Sequence, residues 1–198
     1  MSSDSEIIGR SRDYPAAFTE LYRRHAAAIH RYVARRSDTH TADDVMSETF
    51  LVAFERRSHF DTERSDALPW LYGIATTLLK KHSRVEARAW KGIRAGASGE
   101  LTGDAIEAAG SRVDAERATQ AMAVAIKRLP IAYRDVLLLH AWADLNYEGI
   151  AQALDVPIGT VRSRLNRARL LLRTAGESGR ARNVEVTDGR TDPTAHNA

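Results

Sequence analysis

Cysteine is absent from this chain of 198 residues, which excludes disulfides, thiolate metal sites and cysteine nucleophiles and is typical of a reducing cytoplasm. Aromatic residues make up only 7% of the chain, so we expect two small domains rather than one large core. No apolar run approaches the roughly 18 residues of a membrane span, and the polar amino end lacks the apolar centre of a signal peptide. Segments that alternate with period two are also missing, which predicts an all-α fold.

Motifs for catalysis and metal binding are missing as well. The seven histidines include no HExxH pair and no grouping with carboxylates at metal-ligand spacing, and there is no Gly-x-Ser-x-Gly elbow. The glycine-rich stretch 91–113 follows no strand and has no Gly-Lys-Ser/Thr ending, which argues against a phosphate-binding loop. We therefore expect no enzyme activity, no metal and no cofactor.

What the chain does contain is a short helix, a tight turn and a longer helix over 147–173. Apolar residues recur at helical spacing through 147–154, and Pro157 ends that run because proline disfavours helix at the residue before it. In the second helix, the apolar stripe consists of Val161, Leu165, Ala168 and Leu172. This order of elements is typical of a helix-turn-helix motif.

The other faces of the second helix carry arginine, serine and asparagine. No acidic residue occurs from Pro157 to Arg173, so its arginines have no intrahelical ion-pair partners. Such a face suits a DNA major groove, where Arg and Asn reach base edges and Arg and Ser reach phosphates; the alternative is a solvated amphipathic helix. The candidate DNA contacts are Arg162, Ser163, Asn166 and Arg167, with Arg164 and Thr160 beside them.

The amino-terminal half is predicted to form three helices, over 14–36, 42–57 and 69–88. Acidic residues cluster on the second of these, with Thr41 as its expected cap, and basic residues cluster on the third. Separated charges of this kind imply different partners for different faces.

The remaining segments complete a two-domain organisation. Stretch 91–113 holds five of the twelve glycines and is predicted to be a flexible linker between domains at 14–90 and 114–175. Further helices are expected at 114–128 and 131–142. The polar tail 176–198 is predicted to be disordered.

Four segments of the chain resemble the extracytoplasmic-function (ECF) sigma factors of bacterial RNA polymerase. FTELYRRHAAAIHRYVARR, ADDVMSETFLVAFERRSHF and LPWLYGIATTLLKKHSR are similar to their region 2. LPIAYRDVLLLHAWADLNYEGIAQALDVPIGTVRSRLNRAR is similar to their region 4. The resemblance implies that 14–90 docks on core polymerase and reads the downstream (−10) promoter element. It implies that 114–175 reads the upstream (−35) element.

The resemblance also implies roles for individual residues. On the second helix, four residues are expected to face the clamp helices of the largest polymerase subunit: Asp44, Ser47, Glu48 and Leu51. On the third helix, stacking and phosphate contacts during promoter opening are expected from Trp70, Tyr72, Lys80, Lys81 and Arg84. Sequence selection is expected from the loop 58–69.

The chain departs from the family pattern at three positions. Thr77 stands where the family usually has the Asn that helps select a flipped base, so we include it among the downstream contacts. Ser47 replaces the usual Gln. Asp155 occupies a turn position where Gly or Asn is common, which predicts slight strain in the helix-turn-helix.

The expected partners are core RNA polymerase, including the flap of its second-largest subunit, promoter DNA and an anti-sigma factor. We expect no membrane insertion and action in the cytoplasm. The alternative is a free-standing helix-turn-helix regulator with a helical sensor or dimerisation domain. Its dimers would bind paired half-sites.

Overall fold

The computed structural model describes the backbone of residues 2–94 and 110–187 and the side chains of 2–85 and 119–176. Within these ranges the chain forms helices and no strands, which confirms the all-α prediction. The α-helices are α1 (Asp4–Asp13), α2 (Phe18–Ala34), α3 (Thr39–Glu55), α4 (Leu68–Arg94), α5 (Gly110–Arg128), α6 (Ile131–Trp142), α7 (Tyr147–Leu154) and α8 (Ile158–Thr187). Short 3-10 turns lie at Pro15–Ala17 and Arg57–His59. No helix in the described part of the chain is long and apolar enough to cross a membrane.

Helix α1 was not predicted from the sequence. Its start is a capping box, in which the Ser3 hydroxyl accepts from the Glu6 N–H and the Glu6 carboxylate accepts from the Ser3 N–H. Ile7 and Ile8 on this helix are completely buried. The Ser-x-x-Glu spacing before this apolar pair was the signal that the sequence analysis missed.

The starts of the next two helices also differ from the predicted ones. The helix expected from residue 14 begins at Phe18, because Pro15 opens a separate 3-10 turn ahead of it. The cap of α3 is Asp38 rather than Thr41, since a carboxylate oxygen of Asp38 accepts from the Thr41 N–H at 2.9 Å. An N-cap acceptor of this kind stabilises a helix by about 1 kcal/mol.

Helices α2, α3 and α4 contribute to one apolar core. Leu21, Ile29 and Val33 of α2 are completely buried, as are Val45 of α3 and Leu71 of α4. Each such side chain contributes about 1.5–3 kcal/mol through removal of apolar surface from water. The core therefore holds α4 in place and decides which of its faces remain exposed.

By their contacts, the described residues group into two compact units. One unit lies within Met1–Thr102 and Leu138–Arg162, and the other within Gly103–Leu137 and Ser163–Ala198. This grouping separates the chain inside α6 and α8, whereas the sequence analysis placed the division in the linker. Two domains at 14–90 and 114–175 therefore remain a prediction.

Parts of the predicted linker and tail are helical in the structure. Helix α4 continues to Arg94 and α5 begins at Gly110, so both ends of the stretch 91–113 are helical, and its middle lies outside the described residues. Helix α8 continues to Thr187 through much of the segment predicted to be disordered. The rest of the tail, 188–198, also lies outside the described residues.

Candidate nucleic-acid and protein interfaces

Helix α7, the first helix of the helix-turn-helix, is capped at both of its ends. Asn146 caps α7 by accepting from the Gly149 N–H at 2.8 Å. Asp155 ends α7 in the left-handed conformation at φ 51°, and the Val156 N–H donates to the Ala151 carbonyl at 3.0 Å. This is the bonding of a Schellman motif, in which glycine usually holds the left-handed position. The left-handed φ of Asp155 is the source of the predicted strain.

The first turns of α8 separate buried apolar residues from exposed polar ones, as predicted. Val161, Leu165 and Ala168 are completely buried. The candidate DNA contacts at the centre of the other face are exposed, namely Arg162, Ser163, Asn166 and Arg167, and Thr160 and Arg164 are half-buried beside the stripe. Exposed Arg and Asn side chains on a helix with a buried back can reach base edges in a major groove.

The two aromatic residues at the start of α4 are in different environments, and only that of Tyr72 disagrees with a stacking role. Tyr72 is only 3% exposed, and its ring packs edge-on against Tyr32 with centroids 5.0 Å apart. It therefore belongs to the core, and a stacking contact with DNA would require α4 to repack. Trp70 is half-buried, and its ring packs against that of Phe60 with the ring centroids 5.0 Å apart.

Farther along α4, the remaining candidate DNA residues lie at or near the surface. Thr77, Lys81 and Arg84 are exposed, and Lys80 is half-buried. The Thr77 hydroxyl donates to the Gly73 carbonyl at 3.0 Å, which still leaves its oxygen able to accept from a ligand. Cationic side chains along one helix suit contact with a phosphate backbone.

Helix α3 presents the candidate docking residues on one face. Asp44, Ser47 and Leu51 are exposed, and Glu48 is half-buried. Leu51 leaves 57% of its surface exposed, the largest exposed fraction of any leucine among the described residues, so it offers apolar surface that a partner could cover. The neighbouring Phe50 is 6% exposed and therefore belongs to the core rather than to this surface.

Glu48 connects the candidate docking residues of α3 with the basic residues of α4. One carboxylate oxygen lies 3.0 Å from Lys81 Nζ and the other 3.2 Å from His82 Nε2. The hydrogen bond from Lys81 lowers the pKa of Glu48 below its ordinary value, outweighing partial desolvation, and His82 adds to the effect. Glu48 is therefore charged at neutral pH and shared between two predicted interfaces.

A buried polar cluster at Asp4 was missed by sequence reasoning. Its carboxylate accepts from Arg24 at 2.6 Å and from the Ala67 N–H at 2.9 Å, and lies 2.7 Å from His25 Nε2. Burial would raise the pKa of Asp4, but hydrogen bonds from His25, Ala67 and Arg24 outweigh it and hold the pKa below its usual value. Asp66 lies near enough for Asp4, His25 and Asp66 to share a metal ion, but the hydrogen bonds already account for both oxygens of Asp4.

Comparison with known proteins agrees with both halves of the resemblance. The family model for sigma-70 region 2 matches residues 21–89, and the model for sigma-70 region 4 matches residues 119–172. The sigma factor HrpL of Pseudomonas syringae is 36% identical over 136 residues, which cover 66% of this chain and 71% of HrpL. The ECF sigma factor SigC of Mycobacterium tuberculosis is 35% identical over 141 residues, which cover 71% of this chain and 73% of SigC.

The chain is an ECF sigma factor. As a member of that family it is a transcription initiation factor that directs RNA polymerase to promoters. The free-standing regulator considered from the sequence is not favoured, because regions 2 and 4 both match in one chain.

Solved structures agree with the fold of this sigma factor. CnrH in complex with the cytosolic domain of CnrY has a TM-score of 0.61 at 22% identity, over 88% of this chain and 97% of CnrH. RpoE of Bartonella quintana, in complex with the anti-sigma factor NepR, has a TM-score of 0.57 at 23% identity, over 80% and 95%. At these identities the likeness concerns the fold alone.

Proposed function

We propose that this sigma factor divides promoter recognition between its two matched regions. The exposed face of α8 reads the upstream element through Arg162, Ser163, Asn166 and Arg167. The observation that carries this assignment is the burial of Val161, Leu165 and Ala168 directly behind a face of exposed Arg, Ser and Asn. Arg164 and Thr160, beside the buried stripe, bind phosphates or pack.

The downstream element falls to α4 and to the loop before it. Trp70 lies at the start of α4, where a half-buried indole can stack on an unpaired base, while Thr77 offers a hydroxyl for base contact. Lys80, Lys81 and Arg84 bind phosphates of the opened strand. We assign no DNA contact to Tyr72, because it is part of the core. Exposed residues 61–66 of the loop select the sequence.

Core RNA polymerase binds the α3 face formed by Asp44, Ser47, Glu48 and Leu51. An exposed leucine among carboxylates combines apolar contact with electrostatic steering toward a basic partner, for which we propose the clamp helices of the largest subunit. The flap of the second-largest subunit binds the region matched to sigma region 4. The sigma factor acts in the cytoplasm and contributes no catalytic residue, since nucleotide addition belongs to the polymerase.

We also propose that an anti-sigma factor binds this protein when it is inactive. The support is the structural relative from Bartonella quintana, which was solved with the anti-sigma factor NepR. Such a partner would cover the α3 face, because the exposed Leu51 offers apolar surface that binding would remove from water.

The experiment that tests the proposal is transcription in vitro with purified core polymerase. The templates are a barcoded library in which both promoter elements are randomised. We expect transcripts only when the sigma factor is present, with enrichment of particular bases in both elements. Substitution of Arg162 by Ala should alter enrichment in the upstream element alone. Equal transcription from all templates would contradict the proposal.

A further inference from the structure

Helix α1 holds the end of the loop that precedes α4. The backbone N–H of Asp4 donates to the Ser65 carbonyl at 3.1 Å, and the Asp4 carboxylate accepts from the Ala67 N–H at 2.9 Å. Asp4 is itself 4% exposed and is held from the other side by Arg24 and His25 of α2. A buried carboxylate with three partners of this kind has little freedom to move.

The other end of α1 holds the start of the same loop. A guanidinium nitrogen of Arg12 donates to the Phe60 carbonyl at 3.2 Å. In return, Arg57 donates from Nε to the Ser11 carbonyl at 3.2 Å. From Asp4 to Arg12 the helix rises by about 12 Å, so it acts as a rigid spacer between the two ends.

Between these two ends, the loop presents an ordered and exposed tip. Residues 61–66 are all exposed, whereas Phe60 and Ala67 on either side are buried. Asp61 organises the tip by accepting from the Glu63 N–H at 3.1 Å and from Arg64 Nε at 2.9 Å. A loop with fixed ends and an exposed tip is the usual form of a binding loop on a rigid scaffold.

We propose that α1 is a brace that positions the loop tip 61–66 for reading the downstream promoter element, and that Asp4 is its main positioning residue. The proposal rests on the proposed function of that loop. It assigns a role in promoter specificity to a helix that lies ahead of the matched region 21–89 and that is given no DNA contact in the proposed function. The charge of Asp4 is part of the role, because an amide there could not accept from Arg24, His25 and Ala67 together.

The test uses the full-length sigma factor with core polymerase and the randomised promoter library. Asp4→Ala removes the anchor at one end of the loop, and Arg12→Ala removes the side-chain anchor at the other. The matched control is Arg10→Ala, which breaks the exposed 2.9 Å ion pair between Arg10 and Glu20 but no contact with the loop. Base preference in the upstream element is measured in the same reaction and serves as the internal reference for base preference in the downstream element.

We expect Asp4→Ala to lower base discrimination in the downstream element about tenfold, the share carried by one well-placed base contact. Arg12→Ala should act in the same direction, because Arg12 is exposed and its loss leaves the core intact. Upstream discrimination should stay as it is, and Arg10→Ala should match the wild type at both elements. Hydrogen–deuterium exchange should rise across 61–68 in Asp4→Ala and remain unchanged in α3.

Three outcomes would overturn the brace, and the third would overturn the proposed role of the loop as well. If hydrogen–deuterium exchange of residues 61–68 became faster while base discrimination in the downstream element stayed the same, holding the ends of the loop would have no effect on promoter recognition. An equal fall at both elements would mean general destabilisation, with no positioning by Asp4. A wild-type protein that shows upstream preference and no downstream preference would overturn the proposed role of the loop, and the brace with it.

Discussion

Leu51 on the α3 face offers a direct test of polymerase docking, because it is exposed before any partner binds. Fully burying a leucine side chain is worth about 1.5–3 kcal/mol. Since 57% of Leu51 is exposed, its burial against polymerase would contribute about 0.9–1.7 kcal/mol. Leu51→Ala should therefore weaken binding to core polymerase about 5- to 18-fold. Alanine also favours helix, so α3 should remain folded.

The assay is equilibrium titration of core polymerase into fluorescently labelled sigma factor without DNA. The control is Tyr14→Ala, which removes an exposed aromatic ring outside the α3 face, since Tyr14 is 68% exposed. If exposed apolar side chains contributed to binding wherever they lie, this control would lose at least as much affinity as Leu51→Ala. We expect it to bind like the wild type.

The result that would refute the reasoning is Leu51→Ala binding within twofold of the wild type, with the same helical content. That outcome would remove α3 as the docking surface. A charge reversal at Glu48 would be a poorer test than Leu51→Ala. A lysine there would face Lys81 and His82, so lost binding could reflect disturbed packing.

Three further predictions follow from other parts of the chain. Arg162→Ala should cost about 1–3 kcal/mol and relax discrimination at one upstream base pair, because a base contact carries sequence information. Arg169 is exposed farther along α8, where we expect a phosphate contact, so Arg169→Ala should weaken all sequences equally and lower the salt slope by about one unit. Salt titrations with single-base promoter variants check this. A uniform loss in Arg162→Ala and a base-specific loss in Arg169→Ala would mean that Arg169 contacts the base and Arg162 the phosphate. Asp155→Gly should raise the free energy of unfolding by up to about 1 kcal/mol in urea titrations, because glycine relieves the left-handed φ. A lower free energy of unfolding in Asp155→Gly would show that the left-handed φ of Asp155 is not strained. The lowered pKa of Asp4 stabilises the fold above the ordinary carboxyl pKa, and this stability is lost as pH falls through the lower folded value. In Asp4→Asn, the free energy of unfolding should therefore fall less steeply with decreasing pH below about pH 4. The same pH dependence as in the wild type would show that Asp4 does not contribute to acid unfolding.

The sequence alone predicted the features that depend on neighbours along the chain. The stripe of Val161, Leu165 and Ala168 follows from helical periodicity, so its burial and the exposure of Arg162 and Arg167 were both predictable. The start and end of α6 were predicted correctly over 131–142 for the same reason. Family membership was also visible, because it rests on short motifs whose residues lie close together in the chain.

The tertiary structure decided which side chains meet across long stretches of sequence. Trp70 and Tyr72 looked equivalent, but the Tyr32 ring of another helix packs on one of them and makes it part of the core. Glu48 and Lys81 were assigned to separate partners, although packing of α3 on α4 brings them to 3.0 Å.

Asp4 illustrates the same limit most clearly. It accepts from a backbone N–H that lies 63 residues away, and no periodicity or local motif encodes such a distance. Local patterns determine which face of a helix is apolar, because the backbone geometry repeats. Only the packing of several helices around a shared core decides which polar groups become buried together. At Asp4, that packing turned a polar amino end into a buried anchor for the loop ahead of α4.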